Sequence, residues 1–333
     1  MIGIVPAEWS PHRAMWVGWP SHDELWEDNL APAQDEVEAL VRALAGPGRE
    51  RVKLLVGKPE VLDDARARFA HVEGVGVIDG RFGDIWLRDT GPIFGAGSVR
   101  AAAFRFNGWG GKYELEHDDT VADQIGAVAG ASLDRHDFIL EGGALDHDGG
   151  GTILTTRQCL LNRNRNSGWS EDIAAAALAE SLGARQVLWL GDGLFNDHTD
   201  GHVDNLARFV APGVVACPIA WGAKDPNAEV YDETARLLAD MTDADGQRLR
   251  ILRVPSPGLV FDHDERPAPA SHMNFLIANG AVVVPTYGDT AAASLAVKAL
   301  ETVFTDRQVI ALPSTAILSG GGSFHCISQQ EPA

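Results

Sequence analysis

The sequence is poor in cysteine, in basic residues and in long apolar runs. Three cysteines, Cys159, Cys217 and Cys326, are too few for a disulfide framework, so the cytoplasm is the expected compartment. No apolar run is long enough to span a bilayer, and Met1 to Pro20 lacks the basic and apolar segments of a secretory leader. The 27 Lys and Arg against 47 Asp and Glu give a formal charge of −20, which repels nucleic acid and anionic membranes and attracts cations.

The remaining composition is that of an ordinary globular protein. It is 45% hydrophobic and 22% charged, and no linker or low-complexity tract divides it, so we expect a single catalytic domain over 1–333. One pattern recurs about five times, at a spacing of roughly fifty to seventy residues. Two strands joined by a tight turn are followed by a helix and then by a further strand. Such α/β units can surround a pseudo-symmetry axis, whereas a doubly wound sheet would show fewer hairpins.

The elements of this pattern are predicted from apolar periodicity and from the position of Gly, Pro and Asp. Ser170 is the expected N-cap of one helix, and Gly183 follows its end. The predicted strands are 14–20, 52–56, 75–78, 85–94, 101–106, 138–145, 151–156, 187–190, 202–210, 214–218, 249–254, 274–278, 281–285 and 308–312. The predicted helices are 33–44, 62–69, 114–129, 171–182, 229–240 and 291–304.

Polar residues that interrupt apolar strands are candidates for function, because such groups are costly there unless they are paired or used. Glu141 follows an apolar run and precedes two glycines. In the predicted strand 202–210, His202 and Asp204 would project from one face. A buried His–Asp pair that merely satisfies both groups stays an equal alternative.

Cys326 is the candidate nucleophile among the three cysteines. It follows the glycines 320–322, which allow close approach of a ligand, and it lies beside His325. A thiol needs a base or positive surroundings to react as a thiolate. Cys159 and Cys217 lie in or beside apolar runs, where packing in the core is the better interpretation.

Two further segments supply possible binding residues. Asp89 lies in a predicted strand with Arg88 on the opposite face, and a bend at 90–92 could bring Trp86 near Asp89. Trp109 lies in a glycine-rich loop, where an exposed indole could form a wall for a flat cation or simply anchor the loop. Taken alone, Asp89 is better interpreted as a turn-forming carboxylate before Thr-Gly-Pro.

A metal site is an alternative that the sequence leaves open. The segment 197–204 is crowded with His and Asp, which could hold zinc or a dinuclear centre and would make the protein a metal-dependent amidohydrolase. No His-Glu-x-x-His motif or pair of cysteines supports it, and no Gly-x-Gly-x-x-Gly loop indicates a nucleotide cofactor.

Several longer motifs together give a specific resemblance that runs almost from end to end. The sequence resembles the agmatine deiminase family of the guanidine-modifying (pentein) superfamily, and bacterial peptidyl-arginine deiminases share the same domain. The resemblance implies a five-bladed α/β propeller around a central site. The motifs are 6–12 (PAEWSPH), 86–92 (WLRDTGP), 106–113 (FNGWGGKY), 141–143 (EGG), 199–205 (TDGHVDN), 274–275 (NF) and 320–330.

The resemblance also implies roles for individual residues. Cys326 matches the nucleophile and His202 the acid/base, while the carboxylates that hold the guanidinium and orient the site are Glu141, Asp89 and Asp204. Trp86 and Trp109 are expected to bind substrate beside them. His198, His272 and the missing proline after 162–166 depart from the family pattern, and they bear on the end of the pocket that holds the substrate's tail.

The implied reaction converts agmatine into N-carbamoylputrescine and ammonia through a covalent S-amidino-cysteine, as a step of polyamine biosynthesis toward putrescine. It needs no metal and no organic cofactor, because thiol and imidazole cover the nucleophilic and proton-transfer roles. The expected partner is a small cationic guanidine, and a homo-oligomer is possible. Peptidyl-arginine is the alternative substrate, and a non-catalytic guanidine-binding protein is the alternative from another class.

Overall fold

A computed structural model describes residues 2–262 and 265–333. The β-strands are β1 (His12–Trp19), β2 (Val52–Val56), β3 (Val75–Asp79), β4 (Ile93–Phe94), β5 (Arg100–Arg105), β6 (Ser132–Ile139), β7 (Asp146–His147), β8 (Thr152–Thr156), β9 (Gln186–Leu190), β10 (Arg208–Ala211), β11 (Val214–Ile219), β12 (Arg250–Pro255), β13 (Leu276–Ile277), β14 (Ala281–Thr286), β15 (Gln308–Pro313) and β16 (Ser328–Pro332). The α-helices are α1 (Asp23–Trp26), α2 (Leu30–Ala45), α3 (Pro59–Phe69), α4 (Leu87–Thr90), α5 (Gly108–Gly111), α6 (Val121–Ala129), α7 (Arg157–Leu160), α8 (Glu171–Leu182), α9 (Ala228–Asp240), α10 (Thr290–Glu301) and α11 (Thr315–Leu318). Among the described residues, none of these helices combines the length and the apolar character needed to cross a membrane.

The strands form five small sheets that repeat one topology. Four of the sheets have three strands: β4-β5-β6, β7-β8-β9, β10-β11-β12 and β13-β14-β15. In each of them the first two strands form an antiparallel hairpin. A helix follows the hairpin, and the third strand then pairs in parallel with the second. The helices α6, α8, α9 and α10 make these crossovers, because parallel neighbours cannot be joined by a tight turn. The remaining sheet, β16-β1-β2-β3, has the same plan with one extra parallel strand. The predicted hairpin–helix–strand repeat is confirmed.

Hydrophobic clusters join each sheet to its neighbours and close the five units into a ring. One cluster joins the β1 sheet both to α6 and to β13 and β14 of the last unit. Three further clusters join the other neighbouring units in chain order. Each contains apolar residues of two units: Ile93 and Ile153, Leu188 and Phe209, and Val254 and Phe275. The fold is thus the predicted five-bladed pseudo-symmetric α/β propeller, in which each interface buries apolar surface from two blades.

The two ends of the chain meet in the first blade. Strand β16 pairs with β1, so the first and last strands belong to the same sheet. Glu331 of β16 is fully buried and binds Arg13, accepts a hydrogen bond from Trp16 Nε1 at 3.0 Å, and lies 2.7 Å from Lys53 Nζ. The sequence did not indicate this strand, because Ser-Gln-Gln-Glu-Pro carries no apolar alternation.

Several predicted element boundaries are wrong around the polar motifs. The predicted strand 85–94 is the helical turn α4 followed by only two strand residues, and β4 begins directly after Thr90-Gly91-Pro92. The predicted strand 202–210 begins at Arg208, after a 3-10 turn Val203–Asn205. The predicted strand 138–145 is divided: its first residues end β6, which pairs with β5, and the turn at 142–144 separates them from the next blade.

Helix boundaries are better predicted where a cap is present. Helix α8 covers the predicted range, its N-cap Ser170 accepts a hydrogen bond from Ile173 N, and Gly183 follows in the left-handed conformation at φ 69°. The predicted helix 114–129 begins only at Val121, after an irregular segment and a 3-10 turn Asp118–Thr120.

Candidate active site

The candidate residues occupy one equivalent position in the five blades. In each blade they lie in the short turn that precedes the first strand of the hairpin, and these turns carry, in chain order, Asp89, Glu141, the pair His202 and Asp204, Asn274, and Cys326. Pseudo-symmetry therefore brings together residues of different blades that are far apart in sequence. Asn274 and Cys326 are 52 positions apart, and Arg88, which is next to Asp89, is 237 positions from His325. None of them needs to lie in a regular strand.

Cys326 lies at the bottom of a cavity and is only 5% exposed. Its Sγ lies 3.1 Å from Asn274 Nδ2 and 3.5 Å from Asp204 Oδ2. Asn274 Oδ1 accepts hydrogen bonds from the backbone N–H groups of His325 and Cys326, at 3.0 and 3.3 Å, which fixes the turn. Burial raises the pKa of the thiol well above its ordinary value, and the charges of Asp204 and Asp89 add to this. The thiol is therefore protonated in the empty site.

Asp204 and Asp89 differ in how their oxygens are used. Asp204 Oδ2 accepts a hydrogen bond from His325 Nδ1 at 2.8 Å, whereas its fully buried Oδ1 has no hydrogen-bond partner among the described residues. Burial acts to raise the pKa of Asp204, but the hydrogen bond and charge of His325 outweigh it, so the pKa is below its usual range. An ionised buried oxygen without a donor is a binding site for a cationic N–H group.

Asp89 is held in place by two donors. Trp109 Nε1 donates to Oδ2 and Gly143 N donates to Oδ1, both at 2.9 Å. Burial raises the pKa of Asp89 strongly, and the neighbouring Asp204 and Glu141 raise it further. Three acidic groups in one buried site repel one another, and a bound cation relieves that repulsion.

His202 is completely buried, and both ring nitrogens lack a hydrogen-bond partner among the described residues. Its Nδ1 lies 3.7 Å from Asp89 Oδ1. Burial lowers the pKa of His202 to about 3, so the ring is neutral near pH 7. The expected strand alternation with Asp204 is wrong, since both residues lie at a 3-10 turn, yet the turn still brings them together. A neutral imidazole must receive a proton before it can donate one.

Glu141 contacts an arginine that the sequence analysis did not select. Arg165 Nε donates to Glu141 Oε1 at 2.6 Å, and Arg165 also binds Asp200 Oδ2 at 2.6 Å. Burial raises the pKa of Glu141, and Arg165 opposes that rise. Glu141 lies within 4.8 Å of His202 without a hydrogen bond to it, so it orients the ring only through packing and charge.

A cavity of about 240 Å³ leads from Cys326 to the surface. Trp86 and Trp109 form part of its wall, as predicted, but Trp109 is 6% exposed and fixed to Asp89 rather than lying free in its loop. Asp84 also lines the cavity and accepts hydrogen bonds from Trp26 Nε1 at 3.0 Å and Trp86 Nε1 at 2.8 Å. Burial raises the pKa of Asp84 to about 6. The carboxylates in this wall are thus Asp84 and Asp89.

The departures from the family pattern have different positions. His198 lines the rim of the cavity, where its Nδ1 lies 2.8 Å from Tyr113 Oη and its ring stacks on that tyrosine. His272 lies apart, with Nδ1 2.8 Å from Pro255 O. Asn166, next to the missing proline, pairs with the backbone of Ile139 at 2.8 and 2.9 Å. Only the first departure alters the substrate cavity.

The crowded segment 197–204 does not converge on one point. Asp197 Oδ1 binds Thr199, Asp200 binds Lys112 and Arg165, and Asp204 binds His325. Among residues 2–262 and 265–333, the side chains whose ligand atoms come together are Glu141, Cys159 and His202. Of the residues proposed for the metal-hydrolase alternative, His202 is the one that belongs to this group among the described residues.

Asn274, His325, Arg165 and Asp84 are the site residues that the analysis of the sequence did not select. Each belongs to or adjoins a quoted motif, so the motifs carried a signal, but nothing local to a residue shows which side chain it will meet. Asn274 and Cys326, for example, are 52 positions apart.

The fold and the site together define a guanidine-modifying enzyme of the pentein class: five pseudo-symmetric blades surround a buried thiol, an imidazole and three carboxylates. The profile of the family described as Porphyromonas-type peptidyl-arginine deiminase matches residues 4–332. The agmatine deiminase of Ectopseudomonas mendocina (strain ymp) is 38% identical over 357 residues, covering 99% of this chain and 95% of the relative. The chain belongs to this family of agmatine deiminases and Porphyromonas-type peptidyl-arginine deiminases.

Solved structures agree with this assignment. The agmatine deiminase of Enterococcus faecalis superposes with a TM-score of 0.92 at 32% identity, covering 99% of this chain and 95% of that structure. A Cys-to-Ser variant of the C. jejuni agmatine deiminase, solved with substrate bound, has a TM-score of 0.89 at 28% identity and covers 99% of this chain and 96% of that structure. The predicted resemblance and fold class are confirmed.

Proposed function

We propose that this protein is an agmatine deiminase, which hydrolyses agmatine to N-carbamoylputrescine and ammonia through an S-amidino-cysteine on Cys326. The observation that carries the proposal is the position of buried Asp204 next to Cys326, which lines an acidic, tryptophan-walled cavity: Asp204 Oδ2 lies 3.5 Å from the Cys326 sulfur, and its Oδ1 has no hydrogen-bond partner among the described residues. Curated relatives of this length and similarity carry the same activity in their names. No metal ion or organic cofactor takes part in the proposed reaction.

Substrate binding prepares the nucleophile. Asp89 and Asp204 bind the planar guanidinium through its N–H groups, which places the central carbon next to Cys326 Sγ. The cation also offsets the two negative charges that keep the thiol protonated in the empty site. The thiolate therefore forms after the substrate has bound and is not present beforehand.

The first half of the reaction moves one proton and replaces one bond. The thiol proton passes to neutral His202, the thiolate attacks the central carbon, and a C–S bond forms. His202 returns that proton to the departing nitrogen, the C–N bond breaks, and ammonia leaves a cationic S-amidino adduct. His202 accepts the thiol proton before it donates one, because the buried ring is neutral at the start.

Water completes the cycle. It attacks the adduct carbon and loses its protons, the first of them to His202, and the C–S bond breaks. One proton restores the thiol and the other is taken up by ammonia. Glu141 and Arg165 support the buried wall behind His202, and we assign them a positioning role.

The distal ammonium of agmatine is proposed to lie at Asp84. This carboxylate lines the same cavity as Cys326, and two indole N–H groups hold it in one orientation. His198, which departs from the family pattern, occupies the rim of the cavity. Because Asp89 is proposed to bind the guanidinium, Asp84 is the wall carboxylate that remains for the ammonium.

Mass spectrometry of protein quenched during turnover tests the proposal. An amidino adduct on the peptide that contains Cys326 is expected with agmatine. Cys326→Ser should show neither adduct nor ammonia release while keeping its thermal unfolding midpoint, and Cys217→Ser, a second buried cysteine in strand β11, should keep both. Ammonia release by Cys326→Ser at a substantial fraction of the normal rate would exclude covalent catalysis by this residue.

Peptidyl-arginine remains the second candidate substrate, for a specific structural reason. Tyr113, His198, Ser319 and Gly321 line both the cavity and an adjoining open groove of about 660 Å³, which could hold a longer chain. Values of kcat/KM for agmatine, free arginine and a peptide with a central arginine separate the candidates. A preference for the peptide would move the assignment.

We also propose that 1–333 acts as one catalytic unit in the cytoplasm. The pairing of β16 with β1 and the apolar contacts around the ring support the single unit. The three cysteines are free thiols, in keeping with a reducing compartment. Limited proteolysis tests whether the chain behaves as one unit. Size-exclusion chromatography with light scattering shows whether the protein forms a homo-oligomer in solution.

A further inference from the structure

Behind the substrate cavity lies a group of three buried side chains of metal-ligating type. Cys159 Sγ, a ring nitrogen of His202 and a carboxylate oxygen of Glu141 all lie within 4.8 Å of one another. Cys159 has no part in the proposed reaction, and the analysis of its sequence context assigned it to core packing. It lies in helix α7, whose N-cap Thr156 accepts a hydrogen bond from Cys159 N at 3.3 Å and so fixes its place.

A second observation points to a ligand at this group. Both ring nitrogens of His202 are buried and have no hydrogen-bond partner among the described residues. A buried imidazole normally satisfies at least one nitrogen, because an unpaired polar atom costs free energy. His202 therefore offers a free lone pair in the same place as a thiol and a carboxylate.

We propose that Cys159, His202 and Glu141 form a site that captures a thiophilic divalent cation such as Zn²⁺, and that the captured ion switches the deiminase off. Zn–S and Zn–N bonds of about 2.3 and 2.0 Å place tetrahedral ligand atoms about 3.5 Å apart, so small side-chain shifts complete the site. Thiol and imidazole ligands favour Zn²⁺, Cd²⁺ or Co²⁺ over Mg²⁺ and Ca²⁺. The Cys159 thiol gives up its proton as the S–Zn bond forms.

Access and consequence follow from the same positions. Asp89 lines the open cavity and lies 3.7 Å from His202 Nδ1, so an ion that enters the acidic cavity lies next to the site. A metal bound to His202 removes the lone pair that accepts the thiol proton. The inhibitory effect thus rests on the proposed function, whereas the existence of the site does not.

Cobalt spectroscopy tests the site without reference to activity. In Cys217→Ser/Cys326→Ser protein the single remaining thiol is Cys159. Addition of Co²⁺ is expected to produce a near-ultraviolet thiolate-to-cobalt charge-transfer band with one equivalent bound, and Zn²⁺ should displace it. Cobalt that binds without this band, or that does not bind, would overturn the proposal even if the deiminase activity is as proposed.

Inhibition tests the switch. Zn²⁺ should inhibit ammonia release by the normal chain and EDTA should restore it, while Mg²⁺ should have no effect. Cys159→Ser keeps a small buried group and should retain turnover. It should need at least about tenfold more Zn²⁺ than the normal chain for half inhibition. If the serine variant is unstable, Cys159→Ala takes its place. Cys217→Ser should be inhibited like the normal chain. Equal inhibition of the Cys159 variants and the normal chain would show that Zn²⁺ inhibits without Cys159, and the proposed switch would be wrong.

Discussion

At the residue scale, the reactivity of Cys326 is set by its surroundings rather than by the thiol itself. Burial and the neighbouring Asp204 and Asp89 raise the pKa of the thiol. The sulfur lies 3.1 Å from the side-chain amide of Asn274 and 3.5 Å from the Asp204 carboxylate. Hydrogen bonds from Asn274 and from the backbone of Ser323 lower the pKa of the thiol, but burial and the two carboxylates outweigh them, so the thiol stays protonated until a cation arrives. The same carboxylates that hold the substrate therefore keep the empty enzyme unreactive toward other electrophiles.

Alkylation kinetics should show this. Inactivation by neutral iodoacetamide should be slow at neutral pH and increase steadily as the pH is raised, without levelling off where an ordinary thiol does, since the thiolate is the reactive form and its pKa is raised. A cationic amidine with the same leaving group should inactivate much faster near pH 7. Rapid inactivation by iodoacetamide at pH 7, protected by substrate, would contradict a protonated resting thiol.

Asp84 provides a prediction on specificity. Asp84→Asn should lower kcat/KM for agmatine by roughly 10- to 100-fold, because a buried charge-assisted contact with the distal ammonium is lost. Butylguanidine, which lacks that ammonium, is the matched control and should be processed equally by both proteins. In the normal chain, the ratio of kcat/KM for agmatine to that for butylguanidine should also fall as the pH falls below about 6 and Asp84 becomes neutral, because protonation of Asp89 affects both substrates alike. Equal losses for the two substrates would remove Asp84 from the amine site.

At the scale of elements, the short turns before each hairpin determine the site more than the strands do. The turn Gly142–Ala144 shows why glycine is needed there. A Cβ added to Gly143 would lie 2.6 Å from His202 Nδ1 and 2.8 Å from Asp89 Oδ1. The backbone of this turn thus forms part of the wall of the site, and its N–H holds Asp89.

Gly143→Ala should therefore reduce kcat/KM about 100-fold or more, because small displacements of reacting groups have effects of this size. Gly191→Ala is the matched control, since a Cβ there meets no atom within 4 Å and its φ is not in the left-handed region. Both variants should keep the circular dichroism of the normal chain. Normal activity of Gly143→Ala would mean that His202 and Asp89 are not held as described.

At the scale of the whole molecule, charge and symmetry act together. The chain carries a formal charge of −20, and the site at the centre of the ring is itself acidic. A field of this sign concentrates dications near the cavity and weakens as salt screens it. Capture of agmatine, which carries two positive charges, should benefit more than capture of a monocation.

We expect kcat/KM for agmatine to fall several-fold between low salt and about 0.5 M NaCl, where the screening length shrinks to a few ångströms. The decrease should be steeper than that for butylguanidine, which carries one charge and serves as the control for unspecific salt effects. Steady-state kinetics at constant pH give both slopes. Identical slopes would show that the overall field does not steer the substrate.

The sequence by itself determined the repeated hairpin–helix–strand plan, the capped helix α8 and the motifs that contain Cys326, His202, Glu141, Asp89 and Asp204. These features are local: periodicity, caps and turn residues act within a few positions of the chain. The boundaries failed around Asp89 and His202, where polar turns replace the strands that the apolar neighbours suggested.

Only the tertiary structure decided which atoms meet and in which protonation state. That Asn274 lies against Cys326, that Arg165 rather than His202 binds Glu141, and that β16 closes the ring on β1 all depend on the packing of five blades. The neutral His202 and the protonated Cys326 likewise follow from burial, which no short segment fixes alone. Contacts between residues far apart in sequence come from the whole fold, because the free energy that holds them is shared among all the blade interfaces.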